Sequence, residues 1–179
     1  APLACHAVSG YTGGGKKAIA QYEAEDREAE LVSPRHYAVT LAHKHLPEMA
    51  QVCGLTRKPV FMPMICDFPQ GMVVTVPLYL DMLGGSQSLD SLRTLYREFY
   101  AGARFVTVRP DDAPACGFIG SNNLAGTNEL QIFVCGNDEQ VMLAARLDNL
   151  GKGASGAAVQ NMNIMLGFPE ETGLDVQSR

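Results

Sequence analysis

The sequence predicts an α+β domain, with a mixed or antiparallel sheet covered by helices on one face. Three observations carry that prediction. Short apolar runs bounded by Gly and Pro recur along the chain, as strands do. Only a few stretches space their apolar residues three and four apart, as helices do. The two kinds alternate irregularly and without internal repeats, which does not fit a regular βαβ winding. With 179 residues, 46% hydrophobic and 18% charged, the chain has enough apolar material for one packed core, and disorder is excluded. A net charge of -5 argues against nucleic acid or an anionic membrane as partner. No apolar run reaches the roughly 18–20 residues that span a bilayer. The chain opens on Ala1 without Met or signal peptide, and this start reads as a cut end.

The elements follow in order. Residues 2–9 read as a strand, and residues 10–15 as a glycine-dense loop opening a helix over 16–22. The acidic stretch from Glu23 to Glu30 reads as a solvated face or loop. Residues 36–41 alternate like a strand, with Tyr37, Val39 and Leu41 on one side. Pro47 suits the first turn of a helix that Gly54 ends. Residues 60–65 and 72–78 read as a strand pair around residues 67–71. Leu89, Leu92, Leu95, Tyr96 and Phe99 form one stripe of a helix over 89–101, with Ser88 as N-cap. Strands follow over 104–109, 130–134 and 140–147. Small residues over 151–158 then lead into a helix whose face carries Val159, Met162, Met165 and Leu166. Small residues there allow close approach to a sheet, a helix or a cofactor.

Two stretches concentrate chemistry. Ser9-Gly10-Tyr11-Thr12-Gly13-Gly14-Gly15-Lys16-Lys17 places glycines and two lysines where a strand enters a helix. This is either a flexible turn or an anion site fed by backbone N–H groups. Its spacing is not that of a nucleotide-binding loop. His43-Lys44-His45-Leu46-Pro47-Glu48 groups two imidazoles and a carboxylate. If residues 37–45 are extended, His43, His45 and Tyr37 share a side. Three readings stand: an acid/base centre, a structural cluster, or a metal site using His43, His45 and Glu48. The five cysteines, Cys5, Cys53, Cys66, Cys116 and Cys135, include no C-x-x-C pair and read as reduced, mostly buried thiols.

Both stretches, together with Leu147-Asp148-Asn149-Leu150-Gly151-Lys152-Gly153-Ala154-Ser155-Gly156-Ala157-Ala158-Val159-Gln160-Asn161-Met162-Asn163, resemble the N-acetyl-gamma-glutamyl-phosphate reductase family, in its shorter bacterial type. The resemblance covers essentially the whole chain. It implies NADPH-dependent reduction of N-acetyl-glutamyl 5-phosphate to the 5-semialdehyde and phosphate, in arginine biosynthesis. The family's enzyme pairs a Rossmann-type NADP domain with a second domain of the aspartate-semialdehyde-dehydrogenase-like type. The nucleophile's Asn-Pro-Gly-Cys-Tyr motif and the dinucleotide fingerprint are not expected here. The chain therefore reads as the C-terminal part, inactive by itself.

By the same resemblance, residues 1–147 form a substrate-binding and dimerisation domain, and residues 148–179 pack on the missing NADP domain. His45 is the implied acid/base residue, with His43 beside it. Ser9, Gly10, Tyr37, Glu48 and Lys16 are implied for substrate, with Lys17 a less specific anion partner. Asn149 and Gly153 are implied near the nicotinamide, and no metal is expected. A cytoplasmic homo-oligomer, dimer or tetramer, acting on a small-molecule acyl phosphate is expected. The alternatives are an aspartate-semialdehyde-type dehydrogenase domain, a non-catalytic dimerisation or binding module, and a metal-dependent hydrolase.

Overall fold

The computed structural model describes residues 3–109 and 117–175. Seven strands form one mixed sheet: β1 (Ala4–Gly10), β2 (Arg35–His36), β3 (Val60–Cys66), β4 (Met72–Tyr79), β5 (Val106–Val108), β6 (Leu130–Gly136) and β7 (Gln140–Leu147). Their order is β2-β3-β1-β4-β7-β6-β5. The pairs β1–β3 and β5–β6 run parallel and the rest antiparallel.

The apolar runs before and after residues 67–71 do form strands, but they do not pair with each other. β1 lies between them, with Gly10 opposite Cys66 and Ser9 opposite Met72. The β3–β4 connection must therefore cross the end of β1. It does so on backbone hydrogen bonds from Gly10, Tyr11 and Thr12 N–H to the carbonyls of Gly71, Phe68 and Pro69. At Gly71 the backbone has φ 116°, and a Cβ would strike the Ser121 carbonyl and Asn122. Only glycine fits that crossing.

Paired residues share a sheet face. One face is covered by helices. α1 (Gly15–Tyr22) packs Ile19 and Tyr22 with Tyr11, Leu31 and Ile65. α2 (Leu46–Val52) buries Leu46. α3 (Leu89–Phe99) sets Leu89 and Leu92 on Ile132, Val134 and Val141. The opposite face is partly covered near Ile119, which packs on Val73, Phe133 and Ala144. Toward the other end of the strands it carries Met62, Pro77, Tyr79, Met142 and Cys135. An apolar groove of about 670 Å³ lies there. Last comes α4 (Gly156–Leu166), entered through a π-turn at Gly151–Ser155.

Two sequence expectations are corrected. Residues 36–41 are not a strand: pairing stops at His36, and Ala38 and Leu41 take positive φ of 51° and 55°. These φ values turn the chain away from the sheet and leave Val39 75% exposed. The buried stripe of α3 runs through Leu89, Leu92 and the half-buried Tyr96, while Leu95 and Phe99 point outward. A third expectation, of a strand over 104–109, is shortened to Val106–Val108.

The N-cap of α3 forms as the sequence indicates. Ser88 Oγ accepts from Ser91 N–H at 3.1 Å, and Ser91 Oγ accepts from Ser88 N–H at 3.0 Å. Ser88→Ala removes half of this reciprocal cap. It is expected to cost about 1 kcal/mol in urea unfolding, with the slope unchanged.

Candidate active site

The structure separates the candidate residues into two groups. The first lies at the end of β1. Asn149, just past β7, is 7% exposed. Its Oδ1 accepts from Gly71 N–H at 2.8 Å, and its Nδ2 donates to Thr12 Oγ1 at 3.0 Å. Thr12 Oγ1 in turn donates to the Pro69 carbonyl at 2.6 Å. Ser9 is buried, and its hydroxyl donates to the Gly10 carbonyl at 3.1 Å. The glycine loop is thus stitched to the β3–β4 connection rather than held open. The Gly10 N–H expected to meet substrate donates to Gly71 instead. Lys16 and Lys17 stand in solvent.

The second group lies along the β2–β3 edge. The His43 ring packs on Phe61 at 5.1 Å, on His45 at 4.9 Å and on Tyr37 at 5.7 Å between centroids. The three expected side chains do meet, but through a turn and not an extended strand. Phe61 lies five register positions from Cys66, the partner of Gly10. At about 3.3 Å per residue, that is roughly 16 Å along the sheet. The imidazoles and the glycine loop are therefore not one cluster.

His43 Nδ1 accepts the His45 backbone N–H at 3.2 Å. That bond needs an unprotonated Nδ1, so the neutral ring carries its proton on Nε2. Burial, then the nearby His45 and Lys44, holds the His43 pKa below its ordinary value. The His45 ring makes no side-chain hydrogen bond among the described residues and is exposed. Glu48, in the first turn of α2, bonds neither imidazole among the described residues and stays in solvent. Among the described residues no three His, Cys, Asp or Glu side chains come together to hold a metal.

The buried Asn149 amide is engaged at both its oxygen and its nitrogen, which ties two loops together. The G-x-G-x-x-G spacing, not expected in the chain, does occur over residues 151–156, between a strand and a helix. It is not a dinucleotide fingerprint, which needs a parallel βαβ unit. Here β7 is antiparallel to both neighbours. Gly151 and Gly156 instead let the turn press on the Thr127 carbonyl and the Asn128 side chain, and Gly153 sits against Asp148.

Burial pushes the Cys5 thiol up, with Cys53 adding to the shift, and burial pushes up the Cys66 thiol too. Neither suits a thiolate nucleophile. Cys116 lies outside the described residues.

Comparison with known proteins gives a family match and two kinds of relative. The family described as semialdehyde dehydrogenase, dimerisation domain, matches residues 1–149. A protein named N-acetyl-gamma-glutamyl-phosphate reductase 2, from Nostoc sp., is 44% identical over 97% of this chain and 57% of its own length. The N-acetyl-gamma-glutamyl-phosphate reductase of Brucella ovis is 47% identical over 93% of this chain and 55% of its own. The chain thus spans little more than half the length of these relatives. Aspartate semialdehyde dehydrogenase II of Vibrio cholerae superposes with a TM-score of 0.66 at 11% identity, over 93% of this chain and 55% of that one. That likeness is one of fold.

The His43 environment sets a pH response. Its lowered pKa favours the neutral ring in the folded chain. The stability it contributes is full above the unfolded value and is lost as pH falls through the folded value. In a proton NMR titration the His43 Cε1–H is expected to give a midpoint below the ordinary 6.5.

Proposed function

The chain belongs to the semialdehyde dehydrogenase dimerisation-domain family, and from that premise we propose that it is the substrate-binding and dimerisation portion of a cytoplasmic N-acetyl-gamma-glutamyl-phosphate reductase. The observation that carries this reading is the 44–47% identity to reductases of that name across nearly the whole chain. The reaction is reduction of N-acetyl-glutamyl 5-phosphate to the 5-semialdehyde with release of phosphate. NADPH, held by the part of the enzyme outside this chain, supplies the hydride when bound. The nucleophilic cysteine also lies outside it.

What this chain contributes is proton handling and positioning. His43, neutral and with Nδ1 occupied, presents an Nε2–H donor to a carbonyl oxygen. His45, exposed beside it, gives and takes the proton. Tyr37 walls the space next to them. Ser9, Gly10 and Asn149 hold the end of β1 in shape, and Gly153 and Ala154 offer a small-residue surface to the NADP-binding part. The exposed Met162, Ile164, Met165 and Leu166 of α4 support packing of residues 148–179 on that same part.

In assay, this chain alone is expected to show no NADPH oxidation with N-acetyl-glutamyl 5-phosphate. The longer protein containing it should be active, and His45→Ala there should cut turnover at least about 100-fold. Turnover by the isolated chain, or an unaffected variant, would overturn the assignment.

The open sheet face supports a dimer formed by two such faces. Tyr79 and Met142, both on that face, are exposed. A charge placed there would be buried without a partner. Met142→Glu is expected to shift the sedimenting species from dimer to monomer while leaving the circular dichroism spectrum unchanged.

A further inference from the structure

We propose that Arg35 is the carboxylate-binding residue of a substrate subsite on the β2–β3 edge. A cavity of about 580 Å³ opens there, lined by Arg35, His36, Tyr37, Ser33 and Glu30. Its wall carries one guanidinium, Arg35, and one exposed carboxylate, Glu30. The Arg35 guanidinium is held by the Tyr22 side chain, with a hydrogen bond to its hydroxyl at 3.0 Å and Cζ 5.4 Å from the ring centroid. Tyr22 is itself 3% exposed and stacked on Tyr11 at 4.8 Å. The guanidinium is therefore fixed before any ligand arrives, which spares ordering entropy on binding.

Its Nε is buried and bonds to nothing among the described residues, and no carboxylate pairs with it there. Nearby Arg27 differs in this respect, because Asp67 holds it through two bonds at 2.7 and 2.8 Å. A buried guanidinium donor without an acceptor is costly. The fork geometry of arginine suits a carboxylate accepting two parallel bonds.

The cavity also leads to the chemistry. Tyr37 lines it and touches His43, 5.7 Å away between ring centroids. A ligand with its carboxylate on Arg35 can extend past Tyr37 toward the imidazoles. Resting on the reductase reading, that carboxylate is the α-carboxylate of the acetylglutamyl substrate, the end remote from the acyl phosphate.

The test is a titration of the 15N-labelled chain with N-acetyl-L-glutamate, with its α-amide, and with inorganic phosphate. The acid is expected to shift the Arg35 Nε–H signal, and the amide and phosphate are expected to leave it in place. Arg35→Ala should weaken binding of the acid about 10- to 100-fold. Arg35→Lys, which keeps the charge without the fork, should fall between. If Arg35→Ala unfolds, the acid and amide arms on the unaltered chain decide alone. Equal binding of acid and amide, a phosphate effect equal to that of the acid, or unchanged affinity in a folded Arg35→Ala would each overturn the proposal. In the longer protein, Arg35→Lys should raise KM more than it lowers kcat. Acid binding at Arg35 without acyl-phosphate reduction would sink the reductase reading and leave the subsite standing. Turnover with an unmoved Arg35 signal would do the reverse.

Discussion

The arrangement depends on one side-chain amide. Asn149 joins the segment after β7 to the β3–β4 connection through Gly71 and to the glycine loop through Thr12. Each bond is worth on the order of 0.5–1.5 kcal/mol net, but a buried amide without them would cost more than they contribute. The tie is needed because β1 lies between two strands that are neighbours in sequence. Their connection has to arch over its end. Once the arch is pinned, the glycine loop has one conformation and α1 starts in one direction. α1 then sets Tyr22, and Tyr22 holds Arg35.

The fold assigns its two faces different tasks. Helices close one side over Ile65, Ile132 and Val134. Much of the other side is left open. The imidazoles and Arg35 gather at the β2 edge, while Arg146, whose Nε is also buried and unbonded among the described residues, lies over Phe133 on the open face. β2 is only two residues long. So short an edge strand offers little backbone for unwanted pairing, and the turns beyond it are free to carry imidazoles.

Much of this was legible in the sequence. The strand runs over 60–65, 72–78 and 140–147 and the Ser88 cap state their local structure directly. The resemblance of the three motifs named the family that the profile and the relatives support. Other features were hidden for physical reasons. Alternation tells which residues share a face but not which strands pair, so β1 between β3 and β4 could not be read. Residues 36–41 alternate well, yet Ala38 and Leu41 take a conformation that neither residue favours, and tertiary context decided it. His43 and His45 do meet, but through a turn and not the extended backbone their spacing suggested, and their distance from Gly10 depends on register. Arg35 carried no signal at all. Its character comes from what stands around it in space.

The amide tie also has a temporal consequence. Thr12 and Asn149 are separated by 137 positions. β1 pairs with β3 and β4 far along the chain, and β4 with β7 farther still. Contacts of such long range close late and slowly. During synthesis, β1 and its glycine loop emerge before β7 and wait without their final partners until it has been made. The exposed strand edge in that interval is where misassembly would begin, so the last turn of backbone added to the sheet is also the one that ends the hazard.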